Sequence, residues 1–164
     1  MDDNATGPVT GDTFSWDLPA LASALHLTED DARNYFRDGR RSSFLLEQRI
    51  KDAFPGWKMA PSATASYDLM DQDGGLWEVR VLTQSIFFCS NSMVGKGRNF
   101  DASAFLARLD TLRGYIVPDV SSFPDVQLYV ISSDRIRQLF ETGCLGHTTR
   151  VSRGQFISLF THAS

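Results

Sequence analysis

The stretch from Tyr67 to Gln84, YDLMDQDGGLWEVRVLTQ, constrains this chain more than any other. Two β-like runs flank an Asp-Gln-Asp-Gly-Gly segment. Asp and Gly tolerate the backbone angles of a tight reversal, so the segment predicts a β-hairpin. Side chains alternate across a strand. Trp77, Val79 and Val81 therefore share one face, and Glu78 and Arg80 share the other. Folding the hairpin back brings Asp68 near the row that carries Glu78. Two neighbouring carboxylates repel unless a cation sits between them. A hard divalent ion such as Mg²⁺ takes such oxygens together with water and substrate phosphate. Arg80 beside it offers a permanent positive charge to a phosphate. Those parts suit attack of water on a phosphodiester. The same spacing also fits an ordinary turn-proximal acid at Asp68 and a surface ion pair at Glu78 and Arg80.

Around the hairpin the pattern predicts a mixed α/β chain. Residues 1–13 are expected to form a flexible tail, and residues 14–164 a single domain. Leu18 to Leu25 and Thr28 to Arg37 read as short helices, the second capped by Thr28 with Glu29, Asp30 and Asp31 at its positive end. Gly39 fits a helix stop, and Ser42 or Ser43 caps a third helix through Phe54. After the hairpin, a helix is expected from Asp101 or Ser103 to Arg113. The segment GYIVPDV reads as a strand broken at Pro118, and VQLYVIS as another. Ser133 would cap a helix through Glu141. Thr148 to Val151 reads as a last strand, and Ser152 caps a final helix. Helices before the sheet and helices alternating with strands after it imply a mixed central sheet with helices on both faces.

Asp68, nine intervening residues and then Glu78-Val79-Arg80 resemble the core of the PD-(D/E)xK nuclease superfamily, which includes many type II restriction endonucleases. The resemblance covers roughly residues 40–135. It implies a restriction-endonuclease-like fold in the order α-β-β-β-α-β, and a metal-dependent DNA endonuclease. Asp68 and Glu78 would hold Mg²⁺, with Mn²⁺ an alternative. An acid from the preceding helix often joins such a site, and Glu47 in SFLLEQRI matches that position. Two departures stand out. Tyr67 replaces the usual proline before the first acid, and Arg80 replaces the usual lysine. Arginine keeps the charge but does not release a proton near neutral pH. Arg80 therefore also fits a weak or inactive nuclease-like protein that binds DNA without cutting, and Lys58 or Lys96 are the lysines that would substitute.

Ser90 to Phe100, SNSMVGKGRNF, follows this region directly. Its Ser90, Asn91, Ser92, Lys96 and Arg98 suit contacts to DNA phosphates and base edges, and Gln84 at the strand end is a further candidate. A surface loop without ligand reads the same way. Residues 18–41 have helix-turn-helix spacing, with Arg37, Arg40 and Arg41 able to grip a DNA backbone, or else form a plain helical hairpin. His26, His147 and His162 form no metal motif. Trp16, Trp57 and Trp77 read as packing residues.

Composition sets the outer bounds. Of 164 residues, 42% are hydrophobic and 22% charged, with 12 phenylalanines, which suits a chain with a real core. No apolar run approaches the ~20 residues of a membrane helix. The opening MDDNATGPVTGD has neither the basic start nor the apolar stretch of a secretory signal. Cys89 and Cys144 lack ligand spacing and read as free thiols, so a cytoplasmic location is expected. A net charge of −4 argues against indiscriminate coating of polyanions. The charge is uneven, however. Residues 33–58 carry Arg33, Arg37, Arg40, Arg41, Arg49, Lys51 and Lys58 against three acids. A double-stranded DNA substrate and so small a chain imply a homodimer, one subunit to each strand. An interaction domain with no nucleic-acid role is the remaining alternative.

Overall fold

The computed structural model describes residues 6–161. Eight strands and six α-helices are found among them. Five of the helices are capped by a polar side chain. Asp17 caps α1 (Leu18–Leu25), Thr28 caps α2 (Glu29–Phe36) and Asp38 caps α3 (Gly39–Ala53). Asp101 caps α4 (Ala102–Thr111) and Ser132 caps α5 (Ser133–Glu141). Each accepts a backbone N–H that the helix itself leaves unpaired. α6 spans Arg153–Thr161.

A six-stranded mixed sheet runs through the centre in the order β1-β7-β6-β4-β3-β2. Its members are β1 (Thr13–Ser15), β2 (Lys58–Met59), β3 (Leu69–Met70), β4 (Leu76–Val79), β6 (Gly114–Asp119) and β7 (Asp125–Ser132). β2, β3 and β4 form an antiparallel meander. α4 then carries the chain over, so that β6 lies parallel to β4, as a helical crossover requires. A separate antiparallel pair joins β5 (Ser85–Phe87) to β8 (Arg150–Ser152).

Alternation along the strands divides the core. Tyr115, Val117, Tyr129 and Ile131 face Phe105 and Leu109 of α4, Ile136 and Leu139 of α5, and Phe156 of α6. Ile116, Leu128, Leu69 and Val79 face the other way, onto Ile50 and Phe54 of α3. The hairpin of α1 and α2 adds Leu18, Ala22, Ala32 and Phe36 against Val120, Phe123 and Val126. The sheet is thus covered by helices on both faces, as the order of elements predicts.

Several local expectations are corrected. Residues 6–13 do not hang free. Gly11 N–H donates to the Leu128 carbonyl at 2.9 Å, Thr10 Oγ1 accepts the Val130 N–H, and the Thr6 carbonyl accepts Trp57 Nε1. The exposed edge of β7 supplies unpaired backbone groups, and this segment satisfies them. Residues 1–5 of the expected tail lie outside the described residues, as does His162. Gly39 opens a helix rather than stopping one, because Asp38 caps it. A Cβ at Gly39 would sit 3.2 Å from Val81 and Thr83, so the bare backbone lets α3 lie close to the chain leaving β4. Pro118 does not break its strand, since β6 runs on to Asp119 and the Pro118 carbonyl accepts the Leu82 N–H at 2.9 Å. The three tryptophans do pack inside. Trp57 is buried, Trp77 lies against it with ring centroids 5.9 Å apart, and Trp16 stacks on Phe123.

Candidate functional site

Four elements converge on one open cleft of ≈ 700 Å³. From α3 come Arg40, Ser43 and Glu47, spaced to share one helix face. Asp68 enters at the start of β3, Glu78 and Arg80 at the end of β4, and Arg108 from α4. The four residues expected to be catalytic, Asp68, Glu78 and Arg80 from the hairpin and Glu47 from the family resemblance, therefore line the same cavity.

The hairpin that sets Asp68 against Glu78 is organised by Asp71, which is 6% exposed. Its carboxylate accepts the N–H groups of Asp73 at 3.0 Å and Gly75 at 2.8 Å, Trp77 Nε1 at 2.9 Å and Arg113 Nη1 at 2.8 Å. Burial alone would raise this carboxyl, but those donors hold it below the usual carboxylate range. Next to the turn, Asp68 Oδ2 accepts the Val79 N–H at 2.8 Å, across the two strands.

Glu78 is 4% exposed and lies between two guanidinium groups. Arg80 bonds Oε1. Arg108 Nε and Nη2 both bond Oε2, at 2.9 Å and 2.8 Å. Burial raises the Glu78 carboxyl overall, and Arg80 and Arg108 only partly offset this. With donors on both oxygens it is held as the anion. Arg80 also donates to the Cys89 carbonyl at 3.1 Å and to Asn91 Oδ1 at 3.0 Å, which ties the Ser90–Phe100 loop to the cleft.

The remaining acids are ill at ease. Burial raises Asp68, against the Val79 N–H, Arg80 and Arg108. Glu47 is pushed up to about 7, first by burial and then by the charge of Asp68, against a hydrogen bond from Ser43. Each of these two carboxyls has one oxygen engaged by a donor and one left over. Their donor chemistry suits a hard divalent cation that also takes water and phosphate. Glu78 does not fit that role, because its oxygens are already on Arg80 and Arg108. Of the expected Asp68–Glu78 ligand pair, only Asp68 has an oxygen not already bonded. No group of three or more His, Cys, Asp and Glu side chains set to hold one metal ion occurs among the described residues.

The residues expected to meet DNA divide. Arg40, Ser90 and Asn91 line the cleft. Arg41 is turned onto the Tyr35 ring, 4.8 Å from its centroid, and pairs with Asp38. Arg98 donates to the carbonyls of its own loop, Asn91 at 2.8 Å and Val94 at 3.3 Å, and Ser90 and Ser92 bond each other. Lys96 is exposed and outside the cleft lining, and Gln84 is exposed between the lining residues Thr83 and Ser85 without being one of them. The α1–α2 hairpin uses its apolar side as packing over the sheet end. His147 lies against Phe100, 6.1 Å between ring centroids, rather than beside another ligand.

Arg108 is the functional candidate that the hairpin pattern does not reveal. It lies three residues after Phe105 and four before Leu112, inside the apolar stripe of α4. A charge in that stripe needs a buried partner, and this was the available signal. No protein-family model matches the chain, and no curated protein matches it either.

Proposed function

We propose that this protein is a DNA endonuclease of the PD-(D/E)xK type, most like a small type II restriction enzyme. One observation carries the reading: Glu47, Asp68, Glu78 and Arg80 meet in a single cleft, from a helix, a hairpin and its flanking strands. The order α3-β2-β3-β4-α4-β6, with β5 interposed before α4 but set apart in the second sheet, and with β4 and β6 parallel, supports a restriction-endonuclease-like fold. Asp68 and Glu47 are the residues to hold Mg²⁺ or Mn²⁺. The ion, when bound, neutralises charge and activates water at the phosphodiester. Arg80 holds the attacked phosphate, and Arg37 and Arg40 at the cleft rim meet the flanking backbone. On this reading the chain acts as a homodimer, one subunit facing each strand of the duplex.

A second reading has its own support. Two arginines clasp Glu78, and neither serves as a base near neutral pH. That arrangement favours a nuclease-like protein that grips DNA without cutting it. Duplex DNA of mixed sequence with Mg²⁺ or Mn²⁺ separates the two. The endonuclease reading expects fragments from the wild type and none from Asp68→Ala. A gel shift without fragments in either metal favours the second. Fragments that persist in Asp68→Ala would end the site assignment.

A further inference from the structure

Arg80 and Arg108 approach Glu78 from different elements, one from β4 and one from α4, and take one oxygen each. The carboxylate carries one negative charge and the guanidiniums two positive. Their hydrogen-bonding capacity is not used up. Arg108 spends Nε and Nη2 on Glu78, which leaves Nη1. Arg80 spends Nη1 and Nη2 on Asn91, Cys89 and Glu78, while its Nε is buried and has no partner. That Nε has almost no accessible surface, so the N–H groups left for a ligand oxygen are one on Arg80 Nη1 and those of Arg108 Nη1. Both side chains line the cleft, and both are mostly buried: 16% of Arg80 and 23% of Arg108 is exposed. Guanidinium groups suit phosphate oxygens because their donors lie in a fixed plane.

We infer that Glu78 is a buried anchor that holds Arg80 and Arg108 apart as a two-guanidinium clamp for one backbone phosphate. Arg108 is thereby a substrate-contacting residue, and Glu78 a positioning residue that acts through both arginines. This rests on the nucleic-acid reading of the cleft, but not on cleavage or on a metal. The clamp binds phosphate with the metal removed. It also gives the arginine at the usual lysine position a purpose that proton transfer does not explain.

The test is fluorescence anisotropy of a labelled duplex in EDTA over a range of salt. Arg108→Ala is expected to weaken binding about ten- to a hundredfold, as loss of a charged hydrogen-bonding group does. The slope of log K against log salt should fall in size by about one. Arg108→Lys, which keeps the charge but not the planar fork, should keep the slope and regain only part of the affinity. In a Glu78→Leu background the cost of Arg108→Ala should shrink, because no side-chain oxygen is left to hold the arginine. Circular dichroism melts show which variants are folded, and Arg108→Lys carries the test if Arg108→Ala is not. Unchanged affinity and slope in a folded Arg108→Ala protein would overturn the clamp, as would equal cost with and without Glu78. No duplex binding by the wild type in EDTA would overturn it too. Binding that depends on Arg108 without fragments in any metal leaves the clamp standing and ends the endonuclease reading; fragments with Arg108-independent binding do the reverse.

Discussion

Glu47 shows how one side chain reports on its surroundings. Burial and the nearby Asp68 raise its carboxyl to about 7 from an ordinary 4.5. Between those values the folded chain binds a proton that the unfolded chain releases, so stability falls as pH rises through that window. In EDTA, Glu47→Gln should therefore flatten the pH dependence and raise stability at pH near 8. The expected gain is about 1–2 kcal/mol, less than the full shift implies because the side chain is partly in water. Melting temperatures of both proteins from acid to mild base check this. A wild type whose stability rises between those pKa values would contradict it. Asp68, Glu78 and Arg80 were legible in sequence, since hairpin periodicity places them, and Glu47 was picked out by the family resemblance. Arg108 was not, because its partner lies 30 residues away and no local pattern joins an α4 arginine to a β4 glutamate.

Among the elements, the β3–β4 hairpin carries the most responsibility for the cleft. Strands of two and four residues make few ladder hydrogen bonds of their own. Asp71 compensates by gathering Asp73, Gly75, Trp77 and Arg113. Asp71→Ala leaves those donors unpaired, so a loss of about 2–4 kcal/mol is expected, read from urea midpoints. A loss under ~0.5 kcal/mol would place it with ordinary surface changes instead. Turn composition made the reversal readable, whereas Asp71 as its hub depends on Arg113 from the far end of α4's crossover. β2 was not read at all. Lys58 and Met59 alone form it, too short for a period. The start of α3 was misread for a different reason. Gly39 is a common stop signal, and Asp38 together with the close approach to Val81 turned it into a start.

Across the whole molecule, a polar clip adds to the apolar packing that joins α6 to the main sheet. Asp119, at the end of β6 and 8% exposed, takes Arg153 from the first turn of α6, with Nη1 on Oδ1 at 2.7 Å. Burial by itself would raise the Asp119 carboxyl, but Arg153 and Ser121 hold it below its ordinary 3.8. A depressed acid contributes stability above its unfolded pKa and loses it as pH falls through the folded value. Asp119→Asn should cost about 2 kcal/mol at neutral pH, and the difference from wild type should narrow as pH falls below ~3.8. Denaturant midpoints at pH 7 and pH 3 measure it, and an equal difference at both would refute the role.

Sequence by itself determined what local chemistry can determine. Its periodicities placed the hairpin, most helices and the α/β class, because a 2-residue or 3.6-residue repeat is a property of neighbouring residues. It also put four polar side chains in reach of one another. Only the tertiary structure decided what those side chains do there. Glu78 gave its oxygens to Arg80 and Arg108, and residues 6–13 lay down on the edge of β7. Both outcomes depend on burial and on partners far along the chain. In the interior a charge or an unpaired amide is so costly that the nearest available partner takes it, wherever in the sequence that partner stands.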